Sequence, residues 1–231
     1  MASDPASTQP EPPARVSPAE RRFVLIFGAL VMLATSLPYL LGYALQGSDF
    51  RFTGFVFGVE DGNSYIAKML SGWAGAYLFK SPYSVYPQCG LLFYLPYLLL
   101  GKLAAPPALH EQLVALYHLF RIVAGMLSIL ATYDFLAVFV RTVFYRRIGL
   151  ALAVLGGGLG WVLVVSGHAE WLGSPPLDFI SPESFGFLGI YGVAHLPLGR
   201  ALLLWALTAY LKLSRRVLAQ NLQTRITDCS I

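Results

Sequence analysis

The sequence predicts an all-α, polytopic helical membrane protein with about four transmembrane helices and juxtamembrane helices in a long first external loop. Three observations carry this reading. The 231 residues are 56% hydrophobic and only 12% charged, whereas soluble domains carry roughly 25% charged residues. Several apolar runs approach the roughly 20 residues that a helix needs to cross a ~30 Å hydrocarbon core, and they are continuous rather than alternating, unlike barrel strands. Basic residues gather in pairs at the ends of these runs (Arg21-Arg22, Arg146-Arg147, Arg215-Arg216), where they act as topology signals. The net charge of +4 is therefore not read as a nucleic-acid-binding stripe, and no nucleic-acid partner is expected.

Residues 1–22 are rich in Pro, Ala, Ser and charge. They offer too little apolar surface to fold alone and read as a disordered cytoplasmic tail. Arg21-Arg22-Phe23 loosely mimics a twin-arginine export signal. The apolar stretch that follows is too long for a cleaved leader and lacks a small-residue cleavage site, so an uncleaved anchor is expected. The transmembrane module is read as 23–213 and the polar segment 214–231 as a second cytoplasmic tail. Together these place a multi-pass chain in the plasma membrane with its N-terminus cytoplasmic.

Five apolar segments compete for the spans: 23–45, 88–104, 113–140, 148–166 and 196–213. If all five cross, Arg141, Arg146 and Arg147 lie outside, as do Arg215 and Arg216, against the positive-inside bias. If 88–104 stays in the outer interface, both basic clusters return to the cytoplasm. That segment is short, carries Pro96 and Lys102, and is flanked by Pro87 and Pro106-Pro107, which suits an interfacial helix. Four spans are thus expected, with 46–112 and 167–195 as external loops. On 113–140, Arg121 and Asp134 are about 20 Å apart along the helix, so no direct pair is expected between them. Gly156 and Gly160 on 148–166 suggest a face stripped of side chains for close helix packing. Cys89 and Cys229 fall on opposite membrane sides, which rules out a bond between them within one molecule.

The chemistry-bearing residues collect in the two external loops. Glu60 and Asp61 follow the first span, and from Ser64 onward apolar residues recur at Ile66, Met69, Leu70, Trp73, Tyr77 and Leu78. Those steps of three and four mark an amphipathic surface helix, with Gly62-Asn63 as the turn that starts it. Lys68 lies on the same stretch. The second loop offers Asp178, Glu183 within Ser181-Pro182-Glu183, which also reads as a helix start, and His195 before the last span. Carboxylates from both loops meeting beside a histidine would deprotonate an acceptor or hold a divalent cation against a phosphate.

A span followed by Asp61, Tyr65 four residues later, an amphipathic juxtamembrane helix, a Pro-flanked apolar segment and a helix with an early Arg121 resembles the N-terminal module of the GT-C superfamily. These integral-membrane glycosyltransferases use polyprenyl-phosphate sugar donors. The resemblance implies a catalytic role for Asp61, a substrate contact at Tyr65, and Asp178 or Glu183 as the acid of the second external loop; the loops' own residues add Glu60 as a second catalytic acid and Lys68, Asp178, Glu183 and His195 as substrate contacts. It also implies a divalent metal held by Asp61 and Asp178. Gly62 stands where the family's acidic motif has a second acid, with Glu60 on the other side. Family members usually continue with more spans, so a truncated, split or minimal module is expected.

Two further classes of function remain open on sequence. A non-enzymatic membrane subunit packing against a larger membrane partner fits the small size and the Gly156–Gly160 face. A small transporter fits less well, because ionisable residues within spans are few and no repeat of broken helices is evident.

Overall fold

The computed structural model describes residues 16–81, 83–107, 109–170 and 173–228. Among them, nine helices follow one another: α1 (Pro18–Ala44), α2 (Val59–Trp73), α3 (Leu95–Gly101), α4 (Leu109–Phe139), α5 (Val143–Leu155), α6 (Gly160–Val165), α7 (Leu177–Ile180), α8 (Gly186–Gly192) and α9 (His195–Asp228). Three have the length and apolarity to cross a membrane: α1, α4 and the His195–Leu218 part of α9. The protein is an all-α membrane protein, as its composition implies.

α1 starts earlier than the apolar pattern suggests. Ser17 caps it, Pro18 opens it, and the Ser17 and Glu20 side chains bond each other's main-chain N–H groups at 3.3 and 2.9 Å. This reciprocal box satisfies two of the free donors at the helix start. Residues 18–22 of the expected tail are therefore helical, while 1–15 lie outside the described residues. The expected tail 214–231 also differs, because α9 continues unbroken to Asp228; Cys229 lies outside the described residues.

Glu20 is buried and organises one end of the bundle. Its carboxylate accepts from the Arg146 guanidinium at 2.6 Å and from the Tyr133 hydroxyl at 2.7 Å. Arg146 donates its remaining N–H groups to the carbonyls of Val140 and Arg141. Arg21 pairs with Asp134 at 2.6 Å, and the Trp205 indole donates to the same carboxylate. Arg215 donates to the Val138 carbonyl, and Arg147 stacks over Phe23. The arginines of α1, α5 and α9 thus gather at one end, called the basic end here. Asp134 pairs with α1 and α9 rather than with Arg121.

The expected span 148–166 is broken. α5 has 13 residues, about 20 Å of helix, too short for a ~30 Å core. Gly156 ends it in an extended conformation. Gly158 and Gly160 then admit the Asp178 side chain, which a Cβ at either position would block. The glycines make a break and a cradle for a carboxylate, not a flat packing face. α8 continues from where α5 ends: its first residue, Gly186, lies against the Ala153 carbonyl near the end of α5.

Segment 88–104 does not form a span. Its helical part is the seven-residue α3, packed on α2. The contact is reciprocal: Gly72 of α2 faces the Leu98 carbonyl and Gly101 of α3 faces the Met69 carbonyl, each too close for a Cβ. α2 starts at Val59 after Gly58, whose φ of 57° is left-handed, so Gly62-Asn63 lie in its first turn rather than before it. Tyr77 and Leu78 fall beyond its end at Trp73.

Removing one partner of a buried ion pair leaves a charge stranded. Glu20→Ala should lower unfolding stability in micelles by about 3 kcal/mol, and Tyr133→Phe by about 1 kcal/mol. Replacing Glu20 and Arg146 together by Leu should cost less than Glu20→Ala alone, and denaturant titrations of the purified variants measure all three.

Candidate functional site

At the end away from the basic cluster, three tyrosine rings from different elements stack nearly parallel. Tyr65 of α2 lies 4.7 Å from Tyr97 of α3 at an interplanar angle of 10°, and Tyr117 of α4 stacks 6.1 Å from Tyr65 and 6.2 Å from Tyr97. His195, the first residue of α9, meets Tyr65 and Tyr97 edge-on at 5.3 and 5.9 Å. A cavity of about 410 Å³ opens beside this stack, lined by Phe93, Tyr94, Pro96, Tyr97 and His195.

The polar groups are few and specifically placed. The Tyr97 hydroxyl lies 2.9 Å from His195 Nδ1. Burial pushes the Tyr97 phenol well above the ordinary tyrosine range, neighbouring Tyr117 and Tyr65 add to this, and the His195 main-chain N–H opposes it. The network is satisfied when the phenol donates to Nδ1 and accepts from that N–H. The imidazole proton then sits on Nε2.

Lys68 is 9% exposed and boxed by aromatic faces. Its ammonium lies 4.4 Å from the Tyr94 ring centre, 4.9 Å from Tyr65 and 6.0 Å from Phe79. It donates to the Ser64 hydroxyl at 2.6 Å and the Ser64 carbonyl at 3.3 Å. Tyr94 holds this position with a φ of 55°, a left-handed conformation uncommon for a bulky residue. Burial lowers the Lys68 pKa below the ordinary lysine value, with Asp61 pulling in the other direction.

Asp61 and Glu183 are exposed and both act on the site. Burial raises the Tyr65 phenol to about 12, and the negative charges of Asp61 and Glu183 contribute along with Tyr94. Two segments far apart in the chain therefore each bring a carboxylate whose charge reaches Tyr65, Asp61 from the start of α2 and Glu183 from the turn before α8. Asp178 goes elsewhere, its carboxylate accepting from the Gly160 N–H at 2.9 Å between α6 and α7. Glu60 is exposed on the first turn of α2. Ser181-Pro182-Glu183 forms a turn ahead of α8 rather than a helix start.

The divalent cation implied by the family resemblance finds no ready-made ligand set. Among the described residues, no three His, Cys, Asp or Glu side chains converge to hold one. The positive charge beside the tyrosine stack comes from Lys68. Sequence reasoning missed Tyr94 and Tyr97, which line the cavity and of which Tyr97 bonds His195, and Tyr117, which completes the stack. The signal for Tyr94 and Tyr97 is only their three-residue step around Pro96, inside a run that reads as plain apolar.

Comparison of the chain with protein families, curated proteins and solved structures gives no match.

Tyr65 supplies a titration that checks the site. Its folded-state value of about 12 exceeds the ordinary 10.0, so between those pH values the folded state holds a proton that the unfolded state has lost. Stability should therefore fall as pH rises through this window. A difference titration of phenolate absorbance, wild type against Tyr65→Phe, should show one ionisation displaced well above the ordinary tyrosine midpoint.

Proposed function

We propose that this protein is a membrane-embedded glycosyltransferase module that transfers a sugar from a polyprenyl-phosphate donor to an acceptor on the extracytoplasmic side of the plasma membrane. The observation that supports it is that Tyr65 of α2 meets His195, more than 100 residues later, at the end opposite the arginine clusters, with Lys68 over the same Tyr65 ring and the charges of Asp61 and Glu183 reaching it. By the positive-inside bias those arginines mark the cytoplasmic face, so this site faces outward.

The chemistry divides among these residues. An acceptor hydroxyl attacks the anomeric carbon of the sugar. Asp61, exposed and held on the first turn of a helix, takes the hydroxyl proton as general base. The bond from the anomeric carbon to the phosphate oxygen breaks, and the phosphate leaves with the electron pair. Lys68 and the Nε2–H of His195 offset the charge that develops on it. Glu183 orients the acceptor, and the apolar wall of Phe93, Tyr94 and Pro96 takes the lipid side of the donor. No step is routed through a metal, and Asp178 has no part in the reaction.

Purified protein in liposomes, supplied with radiolabelled polyprenyl-phosphate sugars and an acceptor mixture, should consume at least one donor. Asp61→Asn should slow that consumption by about 100-fold or more, while leaving helicity and thermal unfolding unchanged. Equal consumption by the variant and the wild type would remove the proposal and favour the non-enzymatic subunit, which co-purification with a membrane partner would then reveal.

A further inference from the structure

We infer that the hairpin between α2 and α3 is a membrane-interface anchor, seated in the headgroup layer of the bilayer that the long helices cross. This rests on depth, exposure and composition, and is independent of the proposed activity.

Depth follows from the basic end. Arg215 of α9 donates to the Val138 carbonyl of α4, so these two levels coincide. A ~30 Å hydrocarbon core takes about 20 helical residues. Counting that many back from Arg215 reaches His195, and from Phe139 reaches Leu119. The far boundary of the hydrocarbon therefore passes through the level of His195, Tyr97 and Tyr117, which touch one another. α3 and the hairpin leading into it lie in the headgroup zone that begins there.

The hairpin is built, not merely extended. Phe79 and Leu91 exchange two main-chain hydrogen bonds at 2.8 and 2.9 Å. The Gln88 side chain bonds both the N–H and the carbonyl of Ser81 at 3.0 and 3.1 Å. The Phe79 ring packs edge-on to Tyr94. This frame presents large apolar groups outward: Val85 is 95% exposed, Tyr83 85% and Tyr86 79%. Further exposed apolar side chains follow at Leu92 and Phe93, the latter lining the cavity, at Leu99 of α3 and at Leu103 just beyond it.

Composition names the occupant. Residues 62–110 contain no Asp or Glu, three Lys and nine aromatics. Tyrosine and lysine with no carboxylate suit a layer of lipid phosphates over acyl chains. Open water would leave three bulky side chains, Tyr83, Val85 and Tyr86, solvated at a tip held in shape by hydrogen bonds. The consequence is that the cavity mouth at Phe93 opens along the membrane surface.

The test uses a single fluorophore in proteoliposomes containing anionic lipid. Val85→Cys is made in a background of Cys89→Ser and Cys229→Ser and labelled with an environment-sensitive dye. Asp49→Cys in the same background serves as the reference for an exposed polar loop. The dye at 85 should be quenched at least about twofold more by a spin label near the headgroup than by one deep in the acyl chain, and weakly by aqueous iodide. Iodide quenching at 85 equal to that at 49, with no lipid-borne quenching, overturns the inference. Protection from both quenchers also overturns it, because it would mean that protein, a second copy or a partner, covers the hairpin.

Discussion

The fold depends on how the carbonyl end of α8 is satisfied within the bundle. A helix ends with four carbonyls that have no partner within it, and each one left buried and unpaired costs about 1–3 kcal/mol. All four of α8 are met. Gly189 accepts from the Val193 N–H, Ile190 from the Arg121 guanidinium, Tyr191 from the Tyr39 hydroxyl and Gly192 from the Tyr117 hydroxyl. α1 and α4 thus act as the cap for a helix too short to cross alone. The arrangement also explains Arg121, which is 1% exposed and forms no ion pair among the described residues. It faces the negative end of a helix dipole, the Thr35 and Ser36 hydroxyls, and the Tyr39 ring.

That constraint is coupled directly to the candidate site. Tyr117 bonds Gly192 with its hydroxyl and stacks on Tyr65 and Tyr97 with its ring. His195 follows three residues after the capped carbonyl and so emerges at a fixed height against Tyr97. His118, one residue from Tyr117, holds the Gly54 carbonyl at 2.8 Å, where a φ of 96° lets the chain turn toward α2. One turn of α4 therefore sets the end of α8, the start of α9 and the approach to α2.

What could be read in the sequence were features carried by local charge or periodicity. Arginine pairs at segment ends mark one end of the bundle, and they do gather there. The prolines around 88–104 argue against a span, and the step pattern after Ser64 marks α2. Features decided by tertiary partners stayed hidden. Gly156 and Gly160 carry the spacing of a packing face, yet the carboxylate that fills their cleft comes from Asp178, and no local pattern announces that approach. The glycines that do pack closely, Gly72 and Gly101, lie on two separate short helices with no shared motif. Glu20 looked like part of a polar tail because its partners, Arg146 and Tyr133, lie more than 100 residues away. Asp178 and Glu183 were indistinguishable as loop acids until the fold gave one to a glycine N–H and the other to the tyrosine stack.

The two ends of the bundle treat buried charge in opposite ways, and the difference has a direction. At the basic end, Glu20 with Arg146 and Asp134 with Arg21 are closed ion pairs, so little of their field reaches beyond the protein. At the other end, Arg121 and Lys68 are solvated by rings, hydroxyls and carbonyls. These groups lower the cost of burying a cation without cancelling its charge. Uncancelled charge in a low-dielectric setting acts over a longer range than the same charge in water. Lys68 lies over the Tyr65 and Tyr94 rings, so an anionic group arriving beside the tyrosine stack would meet one cation already desolvated and held in place, whereas Arg121 is committed to the carbonyl end of α8.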